Sequence, residues 1–491
     1  MVVVGGAFVA SCRSGQSLTN AGIDKAPTPV TASTVPGQTT VPPTTVPRKL
    51  DSLPPCDTTA LTAAAATAPV EITFWHGLSN ELGRELERLT GVYNASQNKV
   101  KVNLQFQGGY EQTIDKYLQS NTDNRPDMVQ MPEYMVQQMI DTKSIVPTQA
   151  CAESAKYDTS AFLPQALGAY ATEGVQWSMP FNMSVPVLYY LKPRFTAAGL
   201  DPEAPPRSIE ELLATSKKLV SSGASAYSLA LDSDFDGGGG WYIEQWLAKS
   251  GEFYADNENG RSAPATHVLY DGPGGVKLLT ALKSLVTEGG AVYVGDNASG
   301  QDTFLKLADA TKPAAMTIGT SAALGPVLAI VRGGIIPGVL ESEVGVGPMP
   351  GPNNGKGALV GGASLYIVDG KGGAKAAAAW DYMTFLESAS SQSQWAAATG
   401  YIPVRNDALT LEPIKSLYVS DPRFKVAYDQ LTSSLPGPTS QGPVIGPHKA
   451  VRRVTAVAVA EVLSGGDVQT ALTKAAQAAN DLITNYNAQN K

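Results

Sequence analysis

From Val70 onward, hydrophobic and polar positions alternate between two rhythms. In VEITFWHG apolar residues take every second place until Gly77 stops the run, which predicts a buried first strand. In SNELGRELERLTGVYNAS, Leu82, Leu86, Leu89 and Tyr93 recur at spacings of three and four, which predicts a helix. Ser79 or Asn80 caps it, and Glu81 sits near its positive end. KVKVNLQFQ alternates again, followed by a helix (YEQTIDKYLQS), a strand (PDMVQM) and a helix (EYMVQQMID). Alternation at such short intervals predicts βαβ units and a mostly parallel sheet. After Pro180 the pattern resumes. VPVLYYL reads as a strand, and SIEELLATSKKLVSSG as a helix with Ser208 as N-cap, Glu211 completing a capping box and Gly223 as stop. AAMTIG and ASLYIVD are later strands; AAAAWDYMTFLESAS and the segment from about Lys449 are late helices. No unit of about 20 to 50 residues repeats, which excludes solenoids and propellers.

Before Val70 the rhythm is missing. Met1 to Ala10 is a short stretch of small apolar residues, followed by Ser11 and Cys12. This resembles the end of a lipoprotein signal peptide, with Cys12 as the lipidated residue, although no basic segment precedes it. From Arg13 to about Thr67 the chain is rich in Thr, Pro, Ser and Ala, too poor in apolar area to offset its ordering entropy, and reads as an extended tether. Three cysteines are present; with lipid on Cys12, the other two, Cys56 and Cys151, are free to form a disulfide outside the cytoplasm. The chain has 491 residues, of which 43% are hydrophobic, enough for two or three globular units with a real core. A net charge of −8 without a long basic run argues against a nucleic-acid partner, because phosphate backbones call for clustered Lys and Arg.

Signatures of catalysis are sparse. His76, His267 and His448 lie far apart, with no His or Cys at metal-ligand spacing, and neither HExxH nor GxSxG occurs. GPNNGKG at Gly351–Gly357 has the outline of a phosphate-binding loop. It has one residue too few between glycines and Gly357 where Ser or Thr should stand, so it reads as a surface hairpin loop. Gly237–Gly240 shows no preceding strand of the kind a dinucleotide site demands. Carboxylates are plentiful, which leaves a glycosidase pair open.

The segments ITFWHGLSNELGRELERL, GGYEQTI, PFNMSVPVLYYLKPRFTAAGLDPEAPP, LVGGASLYIVDGKG and WAAATGYIPV, between about residues 71 and 405, together resemble one family. It is that of the extracytoplasmic binding proteins of glycerol-3-phosphate and glycerophosphodiester importers, within the maltose-binding-like class. The resemblance implies a two-lobed α/β fold, each lobe a mixed sheet flanked by helices, with hinge-crossing segments and ligand between the lobes. It implies a monomer that captures a small polar ligand, delivers it to ABC permease subunits, uses no cofactor or metal and performs no catalysis. The lobes are expected at 69–180 with 336–391, and at 181–335 with 392–491, behind a signal-peptide end (1–11) and a lipidated tether (12–68) that holds the protein outside the cytoplasm at the cell membrane, on its periplasmic or outer face.

Residue by residue, the resemblance implies ligand contacts at Tyr110, Glu133, Ser184, Trp241, Ser321, Gly361, Gly362, Tyr401 and Arg452. Glu133 takes glycerol hydroxyls, and Tyr401 with Arg452 or its neighbour Arg453 takes phosphate, Arg452 lying at the far end of the ligand from Glu133 and Tyr110. One stretch departs from the family. DSDFDGGGGWY keeps only Phe235 and Trp241 as wall aromatics and adds Asp232, Asp234 and Asp236. Aromatic faces and carboxylates both suit a quaternary ammonium, which points to glycerophosphocholine. A disaccharide or oligosaccharide ligand on the same fold is the competing reading, and a cell-surface glycosidase or phosphodiesterase the remote one.

Overall fold

The computed structural model describes residues 49–297, 300–334 and 338–490. Cys12, the signal-peptide end and the N-terminal part of the tether lie outside the described residues. Two mixed sheets organise the rest. The first contains β1 (Val70–His76), β2 (Val100–Phe106), β3 (Met128–Pro132), β4 (Ile145–Val146), β5 (Met179–Ser184) and β11 (Gly361–Val368). The second contains β6 (Pro186–Leu191), β7 (Tyr227–Leu231), β8 (Val292–Tyr293), β9 (Ala314–Thr320) and β10 (Val344–Pro348).

The strands β1, β2 and β3 pair in parallel, as the βαβ rhythm predicts. However, β11 runs antiparallel to β3, β4 and β5, and in the second sheet β6 is antiparallel to both β9 and β10. These antiparallel strands flank the two passages between sheets, where no βαβ unit dictates direction. The sheets are therefore mixed, not mostly parallel.

Helix α1 (Asn80–Ser96) buries Leu86, Leu89 and Tyr93 against the first sheet, together with α6 (Gly373–Leu386). Helix α2 (Tyr110–Gln119) follows β2. On the second sheet lie α3 (Ile209–Ser221), α4 (Trp241–Ser250), α5 (Pro273–Thr287), α8 (His448–Leu463) and α9 (Val468–Gln489). Between α6 and α8 comes α7 (Ala389–Thr399). The capping box at the start of α3 forms as its sequence requires: Ser208 accepts from the Glu211 backbone N–H, and Glu211 accepts from that of Ser208.

The passages between sheets fall elsewhere than the sequence suggests. The first is at Val185, between β5 and β6, rather than at residue 181; the second is 349–360, between β10 and β11, rather than near 336. The GPNNGKG loop belongs to this second passage. It joins strands of different sheets and buries Gly351, Gly355 and Gly357, so it is not a surface hairpin. Residues 49–68, read as tether, are held to the body at three points: Leu50, Cys56 and Leu61 are buried, and short helices span Lys49–Ser52 and Ala60–Ala64. A disulfide joins Cys56 to Cys151, 95 residues apart.

Candidate functional site

The two passages lie side by side, Gly361 pairing with Ser184 and Gly362 with Met183. Around them residues of both sheets converge on the seam between the two lobes, where the cleft of such a fold lies. A β-carbon on Gly361 would stand 2.1 Å from the Trp241 ring, so only glycine lets that indole lie on the backbone. Gly362 has φ of +95°, and a β-carbon there would meet the Asn182 carbonyl. Ser321 accepts a hydrogen bond from the Val185 N–H at 3.4 Å, which places it against the first passage.

Tyr110 begins α2 and reaches Asn182, whose side-chain amide donates to the phenol oxygen at 2.8 Å. Asn182 is held in that orientation by Gln130, whose amide donates to its carbonyl at 2.7 Å, while Gly77 N–H donates to Gln130 at 3.0 Å. With that amide donating, the Tyr110 proton stays available to another acceptor. Tyr401, stacked on Trp395 at 5.7 Å, stands close enough to share hydrogen bonds with Asn182 and Tyr110. Burial raises both phenol pKa values, so both are neutral donors at physiological pH.

Arg452 is the electrostatic centre. It keeps only 1% of its surface exposed yet faces three carboxylates. Its Nε and one terminal nitrogen grip Glu244 at 2.7 Å each; that nitrogen also donates to Glu133 at 2.8 Å, and the other to Asp236 at 3.0 Å. Four of the five guanidinium N–H groups are thereby engaged. Tyr134 lies under the guanidinium at 5.0 Å, and His448 adds a bond to Glu244 at 2.8 Å. Burial opposes ionisation of Glu244, but Arg452 and His448 override it and hold its carboxyl at about 2. Burial, only partly offset by Arg452, raises the pKa of Glu133; burial and the nearby Glu133 push that of Asp236 well up.

All nine residues that the resemblance singles out are therefore gathered around this cleft. Their arrangement differs in one respect: Glu133 touches Arg452 and does not stand at the opposite end from it. Arg453 points elsewhere, pairing with Glu111 over the Phe235 ring and half exposed. The run Gly237–Gly240 does follow a strand, β7, and opens α4. Asp232 already accepts the N–H groups of Asp234 and Gly238, so the turn is filled from within. Asn182, Gln130, Glu244, Tyr134 and His448 escaped the sequence reading as site residues. Asn182 and Tyr134 carried a signal, the first being in the same PFNMSVP segment as Ser184 and the second standing next to Glu133.

A two-lobed mixed α/β body with a polar and aromatic cleft at its crossing strands defines a binding protein. The model of the bacterial extracellular solute-binding protein family matches residues 92–425, and the chain belongs to that family. Its function is that of the solute-binding component of an ABC importer, not of an enzyme. A sn-glycerol-3-phosphate-binding periplasmic protein of Pectobacterium atrosepticum is 30% identical over 88% of this chain and 95% of its own. One of Escherichia coli is 29% identical over 86% and 94%. Among solved structures, UgpB from Mycobacterium tuberculosis in complex with glycerophosphocholine superposes with a TM-score of 0.69 at 19% identity, covering 86% of this chain and 99% of that one. The acarbose-binding GacH receptor of Streptomyces glaucescens gives 0.68 at 20%, covering 85% and 99%.

Proposed function

We propose that the cleft captures a glycerophosphodiester or glycerol-3-phosphate, with glycerophosphocholine favoured, for import. The observation that carries this reading is the acidic excess: three carboxylates face one guanidinium beside the aromatic rings of Trp241, Tyr134 and Phe235. Asp236 keeps 36% of its side chain open. A quaternary ammonium finds there the aromatic faces that recognise it, and its own charge favours the ionised Asp236 that burial and Glu133 oppose. The phosphoryl group meets Tyr401, the backbone at Gly361–Gly362 and the remaining N–H of Arg452. The second oxygen of Glu133, with Ser184 and Ser321, takes the glycerol hydroxyls. The indole N–H of Trp241, buried without a hydrogen-bond partner among the described residues, offers one more donor.

A neutral disaccharide is the second reading, favoured by how fully carboxylates occupy Arg452. Calorimetry with glycerophosphocholine, glycerol-3-phosphate and maltose separates the two. Glycerophosphocholine should bind tightest, and Asp236→Asn should weaken it about tenfold, the scale of a lost cation contact, while sparing glycerol-3-phosphate. Maltose binding, with neither phosphate compound taken up, would replace this reading with the sugar one.

The same proposal includes a lipid anchor on Cys12, because small residues precede it and a Thr/Pro-rich stretch follows it. Cys12→Ala should move the protein from the membrane to the soluble fraction of an expressing cell; a variant still sedimenting with membranes would refute the anchor.

A further inference from the structure

Helix α4 has a second face, which the site uses only at Trp241, its first residue. Trp241, Gln245 and Lys249 recur every four residues and form one stripe. The passage 349–361 runs along it in the opposite direction. Lys249 Nζ donates to the carbonyls of Gly355 and Gly357 at 2.8 and 2.5 Å. Gln245 donates to the Leu359 carbonyl at 3.0 Å and accepts the Leu359 N–H at 2.8 Å, replacing the strand partner that residue lacks. Trp241 lies on Gly361. Beside the stripe, Trp246 donates to the Pro350 carbonyl at 2.8 Å. Gln245, Trp246 and Lys249 are almost fully buried.

The passage's other side is held the same way. Met349 N–H donates to Gln430 at 2.6 Å, and Gln430 in turn donates to the Pro186 carbonyl, tying the two passages together. Gly357 and Ala358 donate to the hydroxyls of Ser433 and Ser434. Backbone groups that a sheet would pair are thus satisfied by side chains, those of Gln245, Lys249, Trp246 and Gln430 being buried. A segment held so can bend without breaking a ladder, but its position depends on those side chains.

The same helix delivers Trp241 and Glu244 to the cleft. We propose that α4 is a clamp that sets the position of the passage, with Gln245 and Lys249 as positioning residues: through Leu359, Gly355 and Gly357 they place the Gly361–Gly362 backbone for ligand. The link to ligand rests on the proposed reading of the cleft; the clamp itself does not.

The test uses Gln245→Leu and Lys249→Met, which keep side-chain bulk and remove the bonds. Leu247→Ala serves as control, because Leu247 lies on the same helix but in the apolar core. Hydrogen exchange without ligand should accelerate about tenfold or more across 349–361 in both variants, while β9 stays protected. The control should lose thermal stability without that selective acceleration. Glycerophosphocholine affinity should fall about tenfold in both variants, chiefly through faster release. Unchanged exchange across 349–361 would overturn the clamp. Faster exchange with wild-type affinity would overturn the positioning role. If wild-type protein does not bind glycerophosphocholine, the ligand assignment fails, and exchange alone decides the clamp.

Discussion

Lys249 is buried and, among the described residues, donates to carbonyls and pairs with no carboxylate, and this gives it a measurable titration. Burial lowers its pKa to about 7, against about 10.4 for an unfolded chain. Between those values the unfolded state binds the proton and the folded state does not, so stability from this residue rises with pH across that window. The neutral amine keeps two N–H groups, enough for both carbonyls. Urea unfolding should show wild type gaining on Lys249→Met between pH 7 and 9.5 by on the order of 2–3 kcal/mol. A difference that is flat with pH would mean the amine is already neutral, or remains charged, throughout.

At the scale of elements, what the sequence displayed was local. The α3 capping box, the Leu82–Tyr93 stripe of α1 and the alternation of β1 and β2 each involve neighbours a few residues apart, and each formed. The mixed strand directions depend on passages between sheets, which no periodicity encodes. The order in residues 49–68 was hidden because a Thr/Pro/Ala composition masks Leu50, Cys56 and Leu61, which become core only beside distant partners. The site divided in the same way. Motif-borne residues such as Tyr110, Ser184 and Gly361 could be picked out by family likeness. Glu244, His448 and Gln130 could not, since their roles arise from contacts 204, 208 or 52 residues away along the chain. The sheet-to-sheet role of GPNNGKG was likewise invisible, because its glycines read equally well as a turn.

For the whole molecule, the two halves meet through charge. Helix α8 carries Lys449, Arg452 and Arg453 toward Glu111 of α2 and Glu133 after β3. Pairs at Lys449 and Arg453 include exposed partners and count for little. The Arg452–Glu133 pair is buried, so it should dominate how firmly the halves stay closed. Glu133→Gln removes that link while Arg452 keeps Glu244 and Asp236. The ligand-free variant should therefore be more open, with a larger radius of gyration by small-angle scattering at nearly unchanged thermal midpoint. An unchanged radius would place the closing force in the uncharged contacts.

The Cys56–Cys151 bond also sets a load path. Tension along the N-terminal segment meets the buried Leu50 first and then, at Cys56, crosses covalently into the helix Thr148–Ala155, beside the first sheet. It passes neither Val185 nor the 349–360 passage. A pull from that end is thus borne by one half alone, and the bending strands work unloaded.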